Sequence, residues 1–205
     1  MSQAEDLFYR IEENGEGLFK DRGSKFYAFA YPVQNVEEIE DRIRQLKKTY
    51  HDARHHCYAY RLGNRGETVY VNDDGEPSHS AGTPILAAIR SAELTDILIV
   101  VVRYFGGTKL GVRGLIEAYR TSAVEALEGL PKTPIIPKVL FSLTFPYNRT
   151  SEINRLLHPH PVIVVEAHYT DICRITYSIE KKMYPPLSQA FTSAGISWKV
   201  LQMDE

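Results

Sequence analysis

Three polar stretches carry more charge and glycine than an ordinary strand or helix end requires. The first, Asp52 to Gly63 (DARHHCYAYRLG), puts Arg54, His55 and His56 at the entry of an alternating run. The second, Asn72 to Leu86 (NDDGEPSHSAGTPIL), gathers Asp73, Asp74 and Glu76 around a glycine, then Ser80 before an apolar segment. The third, Val100 to Tyr119 (VVVRYFGGTKLGVRGLIEAY), passes from an apolar run through Arg103, Tyr104, Gly106, Gly107, Lys109 and Gly111 to Arg113.

Each stretch has chemistry open to it and a plain structural alternative. Clustered carboxylates such as Asp73, Asp74 and Glu76 suit a hard divalent cation. They also suit an acidic turn with Ser78 or Ser80 capping the next helix. The backbone N–H groups of Ser80, Ala81 and Gly82 at a helix start would favour an anion. Gly106 and Gly107 allow close backbone approach, and Lys109 with Arg113 beside a helix N-terminus suits phosphate or carboxylate. A tight strand-to-helix connection reads the same residues equally well. A guanidinium at Arg103, near the end of an apolar strand, needs a carboxylate partner, and Asp73, Asp74 or Glu76 could supply it.

The motifs also exclude. GGTKLGVRG lacks the terminal Lys-Ser/Thr pair of a phosphate-binding P-loop and the spacing of a dinucleotide fingerprint. No HExxH or GxSxG is present, and no Cys/His pair lies at an evident catalytic spacing. Adjacent His55 and His56 point to opposite faces of a strand, so one metal does not hold both, and no cofactor is implied.

Periodicity supplies the elements that must position these residues. Residues 7–14 and 17–33 read as strands around a Gly15/Gly17 turn, and Val36, Ile39, Ile43, Leu46 and Tyr50 form a helical stripe opened by Asn35. Residues 55–63 and 68–73 form a hairpin pattern, 80–94 a helix, 96–105 a buried strand and 111–130 a helix. This order suggests an α+β domain over residues 1–130 with its sheet covered on one face. PKTPIIPK, residues 131–138, has three prolines and reads as a stiff linker. Beyond it come strand 139–147, helix 149–158 with Thr150 or Ser151 as caps, strands 162–170 and 173–181, helix 185–195 ending at Gly195, and strand 197–203. Residues 139–205 thus follow the βαββαβ order of a ferredoxin-like domain.

Bulk properties set the outer bounds. The 205 residues are 43% hydrophobic and 24% charged, with net charge -2. Residues 131–205 carry 8 Lys and Arg against 6 Asp and Glu, leaving 16 against 20 in residues 1–130. Any nucleic-acid contact must therefore come from local patches. Two distant cysteines, an acidic start and no apolar run long enough to cross a bilayer point to a reducing cytosol and no membrane contact.

Taken together, ARHHCYAYRLG, DDGEPSHSAGTPIL and VVVRYFGGTKLGVRGLIEAY resemble the IMPACT family in its bacterial branch. The resemblance implies an N-terminal domain with the fold of the second domain of a small-subunit ribosomal protein, shared with domain IV of elongation factor G. It implies a C-terminal domain like domain V of that factor. Eukaryotic relatives regulate translation by competing for a scaffold that activates a stress kinase. The chain departs from the family's Gly-Thr-Ala-Gly-like run at His79-Ser80-Ala81-Gly82, and from its frequent Lys or Arg at Thr83.

The expected function is a cytosolic translation-linked regulator that binds structured RNA, the ribosome or a translation factor, with Arg54, His56, Arg103, Tyr104, Lys109 and Arg113 near the ligand. The alternative is a metal-assisted hydrolase acting on a small anionic or peptide substrate between the 72–83 and 104–114 loops. There Asp73 or Glu76 would hold the metal or act as base, and Arg103 with Arg113 would bind the anion. A third reading is an adaptor that binds a protein partner through the same groove.

Overall fold

Strongly apolar residues alternate sides along one strand, Ile97–Tyr104, and this strand organises the first of two compact units, which divide between Ile135 and Ile136. In the computed structural model, residues 8–204 are described. The first unit contains β1 (Tyr9–Ile11), β2 (Gly15–Asp21), β3 (Ser24–Pro32), α1 (Val36–Thr49), β4 (His55–Leu62), β5 (Thr68–Asn72), α2 (Gly82–Ser91), β6 (Ile97–Tyr104), α3 (Gly111–Glu125) and β7 (Lys132–Pro134). Its main sheet is antiparallel throughout, in the order β2-β3-β6-β4-β5, and β1 pairs with β7.

Both faces of the main sheet are covered, a correction to the single covered face expected from element order. Ile97, Ile99 and Val101 of β6 pack with Ile85, Ile89, Leu115 and Tyr119 of α2 and α3. Leu98, Val100 and Val102 pack with Ile39 and Leu46 of α1. A strand buried on both sides loses the polar alternation that marks a half-exposed one, and β6 is apolar from Ile97 to Val102 for that reason. Asn35 caps α1 through its side chain, which accepts from the Glu38 N–H.

Several expected boundaries move. Residues 17–33 are not one strand, because Arg22 and Gly23 turn with positive φ between β2 and β3. Gly15 and Gly17 make no turn and lie inside β2. A Cβ on Gly17 would come within 2.6 Å of the Ala126 backbone nitrogen and one on Gly15 within 2.0 Å of the Ala126 oxygen. Glycine is needed there because the end of α3 passes directly over the strand. Within the stretch expected as a linker, Lys132–Pro134 pair with β1, and Lys138 begins the next strand.

The second unit contains β8 (Lys138–Pro146), α4 (Thr150–Leu157), β9 (Ile163–His168), β10 (Ile172–Glu180), α5 (Tyr184–Ser193) and β11 (Trp198–Met203). Its antiparallel sheet runs β11-β8-β10-β9. Phe141, Leu143, Ile175 and Tyr177 pack against Ile153, Leu157, Leu187 and Phe191. No side chain caps α4: Thr150 Oγ1 turns back to donate to the Tyr147 carbonyl in a preceding 3₁₀ turn. Gly195 follows α5 with φ 63°, as its place in the sequence suggests. Among the described residues no helix is long and apolar enough to cross a membrane.

Candidate functional site

The three polar stretches meet at one end of the first unit. Period-2 alternation on β4 sends His55 and Cys57 toward α2 and α3, and His56 toward α1. His55 lies opposite Arg103 on the neighbouring strand β6. The turn after β5 then brings Glu76 over both.

Within that turn the three carboxylates diverge, so the cation cluster suggested by their spacing does not form. Asp73 folds back on α2: its Oδ1 accepts from the N–H groups of Ala81 (3.0 Å) and Gly82 (2.8 Å), and its Oδ2 from that of His79 (2.8 Å). The chain's own carboxylate therefore occupies the anion seat expected at Ser80–Gly82. The helix is capped by Asp73 and not by Ser78 or Ser80, whose fully buried Oγ donates to the Pro77 carbonyl at 2.6 Å. Asp74 Oδ2 accepts from the His56 N–H at 2.6 Å, and Lys47 Nζ lies 3.9 Å from its other oxygen. Among the described residues no three His, Cys, Asp or Glu side chains come together as a metal would require.

Glu76 points inward and forms the floor of the site. Its Oε1 accepts from Arg103 Nη1 at 2.5 Å and from the Tyr119 hydroxyl at 2.9 Å. The two charged side chains are only 4% and 7% exposed. His55 Nε2 lies 3.9 Å from the same oxygen, while its Nδ1 is 2.9 Å from the Asp74 carbonyl. The Tyr119 hydroxyl accepts in turn from Cys57 Sγ at 3.3 Å. Burial is the main cause that pushes both the Tyr119 hydroxyl and the Cys57 thiol up, so both stay protonated.

Arg103 was the expected clamp between loops, and Glu76 is its partner. Its guanidinium carbon sits 5.4 Å from the Phe26 ring and 5.6 Å from that of Phe105. Its Nε is buried with no hydrogen-bond partner among the described residues.

Above this floor opens a groove of about 850 Å³. Arg54, Lys109, Tyr104, Phe105 and the start of α3 (Gly111, Val112, Leu115) form its walls. Phe105 is 54% exposed. The first turn of α3 has no side-chain cap and no acidic residue. Among the described residues neither Arg54 nor Lys109 makes an ion pair. Asp52 also lines the groove and accepts from the Tyr104 hydroxyl at 2.6 Å. That bond pushes Tyr104 up to about 12 and holds Asp52 below its ordinary value.

Not every sequence candidate reaches the groove. His56 is 5% exposed on the α1 side of the sheet, where burial lowers its pKa against the opposing pull of Asp74. Arg113 lines a separate hollow of about 470 Å³ with Asp21, Arg22 and Glu117. Gly106 and Gly107 stand outside the lining. Gly106 has a structural reason: a Cβ there would lie 1.9 Å from the Gly23 carbonyl carbon, and its N–H donates to Ser24 Oγ. Gly107 and Gly111 take positive φ and shape the loop into α3. Sequence reasoning noted His55 without placing it at the site, and it passed over Asp52, Phe105 and Tyr119. The strand alternation that separates His55 from His56 was the signal for the first, and Tyr119 was hidden in the apolar stripe of its helix.

Comparison with known proteins gives the family. The model of the Impact N-terminal domain matches residues 22–127, which span all three stretches. The chain is similar to a Bacillus subtilis protein called IMPACT family member YvyE, 31% identical over 90% of this chain and 85% of that one. It is also similar to the Escherichia coli IMPACT family member YigZ, 33% identical over 65% of this chain and 67% of that one. A crystal structure of a hypothetical protein shares the fold with TM-score 0.67, at 24% identity, over 97% of this chain and 98% of its own.

Proposed function

Because the chain belongs to the IMPACT family, we propose that it is a cytosolic translation-linked binding protein that contacts RNA, free or on the ribosome, through the groove of its first unit. One observation carries the reading. Arg54 and Lys109, without carboxylate partners among the described residues, share a groove with an exposed Phe105 and the uncapped start of α3. Cations and helix N–H groups meet phosphates, and an exposed ring offers a stacking surface to an unpaired base.

The strand order β11-β8-β10-β9 supports reading the second unit as ferredoxin-like, in the manner of domain V of elongation factor G. The first unit is read as the ribosomal-protein-like domain shared with domain IV of that factor.

The test is titration of structured RNA and of ribosomes at two salt concentrations. Binding should weaken as salt rises, and Lys109→Ala should lower the salt slope by about one. No binding at low salt would end this reading. Partners recovered from the cell's own cytosol should be lost on nuclease treatment, whereas their retention would favour a protein partner. The hydrolase alternative has lost its main support, since the acidic turn is committed to capping, to His56 and to Arg103.

A further inference from the structure

The buried guanidinium at the floor asks for more than a role in salt-bridging two loops. Arg103 offers five N–H donors. Among the described residues its one side-chain hydrogen bond is that to Glu76, and its Nε has no partner although its side chain is nine-tenths buried. Guanidinium nitrogens taken out of water are normally satisfied, and Arg103 sits on the lining of an open groove.

Three further positive features converge there: Arg54, Lys109 and the N-terminus of α3, a helix long enough for its dipole to count. Among the described residues, the one carboxylate of the lining besides Glu76 is Asp52, held at the rim by the Tyr104 hydroxyl. The other two long helices of the unit lack such a vacancy. Asn35 caps α1, with Glu37 and Glu38 in its first turn, and Asp73 caps α2.

We propose that this groove receives a nucleotide by its terminal phosphate, the phosphomonoester resting between Arg103, Arg54, Lys109 and the start of α3, and the base stacking on Phe105. The inference rests on the RNA-contact reading and narrows it. An internal phosphodiester has chain leaving on both sides and reaches the rim but not a floor cation that is 7% exposed. A monoester is attached on one side only and can be lowered to it. It also brings a charge of about -2 near neutral pH, against about -1 for a diester, and so suits several converging donors. The volume of about 850 Å³ holds a mononucleotide. Free nucleotides and the phosphorylated ends of RNA share this chemistry.

The test uses the full chain and one single-stranded RNA sequence bearing a 5′-phosphate, a 3′-phosphate or neither, together with adenosine and adenosine monophosphate. At fixed salt, one phosphorylated RNA should bind about tenfold more tightly than the unphosphorylated one. Adenosine monophosphate should compete with it and adenosine should not. Lys109→Ala and Phe105→Ala, both at exposed positions, should each shrink that preference, with folding checked by circular dichroism. Equal affinity for all three RNAs would overturn the terminal-phosphate inference and leave RNA binding standing. Binding of adenosine monophosphate with no RNA binding would support the inference for a free nucleotide and overturn the RNA reading. Absence of both overturns both. A phosphate preference that survives the Arg54→Ala, Lys109→Ala double variant would also overturn the inference, because the phosphate would then sit elsewhere.

Discussion

Glu76 and Arg103 form an ion pair almost wholly out of water, and such a pair is strongly asymmetric toward mutation. Arg103→Met strands the Glu76 carboxylate beside Tyr119 and should destabilise the protein by about 3–5 kcal/mol. The Glu76→Gln, Arg103→Met double variant should recover much of that loss in urea unfolding. A double variant as unstable as Arg103→Met would show that Glu76 tolerates isolation. His56 gives a second residue-scale expectation. Burial holds its folded pKa below the ordinary 6.5, and Lys47 and His55 add to this while Asp74 and a hydrogen bond to the Tyr50 backbone oppose it. A histidine kept neutral only in the fold contributes stability that is fully present above 6.5 and lost as pH falls below it. The urea midpoint should therefore decline from pH 7.5 to pH 5.5, less steeply in His56→Gln. Much of this site was legible, because Arg103, Glu76, Lys109 and Arg54 are charges set in unusual places. Which carboxylate Arg103 would choose was not legible. Asp73, Asp74 and Glu76 are near neighbours in sequence, and only the path of the turn sends the first to a helix end, the second to a strand N–H and the third to the floor.

The turn between β5 and α2 does its work through one side chain. Asp73→Ala removes the acceptor of three backbone N–H groups and should cost about 1–2 kcal/mol, with Asp73→Asn closer to the parent. The same turn carries a conformational penalty at His79, held at φ 63°, a backbone region that favours glycine. His79→Gly should raise stability by about 1 kcal/mol, offset in part by the lost contact with Thr83 Oγ1. A fall in the unfolding midpoint would show that this contact outweighs the strain. At this scale the sequence is readable where one face is polar: α1, with Asn35 and its apolar stripe, runs nearly as its periodicity indicates. It is less readable where an element is explained by something distant. Gly15 and Gly17 look like turn residues, yet their small size serves the end of α3, more than a hundred positions along the chain. The covering of both sheet faces was likewise hidden, since a continuous apolar run does not say how many layers bury it.

At the scale of the whole chain, the groove, its floor and its cations all lie within the first unit, and each unit has its own apolar cluster. A fragment of residues 1–135 should therefore retain the RNA affinity of the full chain within about threefold. A loss beyond about tenfold would assign part of the contact to residues 136–205. Phe191→Ala, which empties a fully buried position of the second unit, should lower stability by about 3–5 kcal/mol and leave binding at the groove unchanged. The two cysteines are distributed with equal economy: Cys57 lies in the first unit and Cys173 in the second, both free and both 0% exposed. Alkylation needs a thiolate in contact with solvent, and the Cys57 thiol donates inward to the Asp73 carbonyl and the Tyr119 hydroxyl. Neither thiol can react until its own unit opens. The chain thus carries a pair of clocks, one in each unit, and mass spectrometry of the unmodified protein during alkylation would time the breathing of the two halves separately, without a probe being introduced.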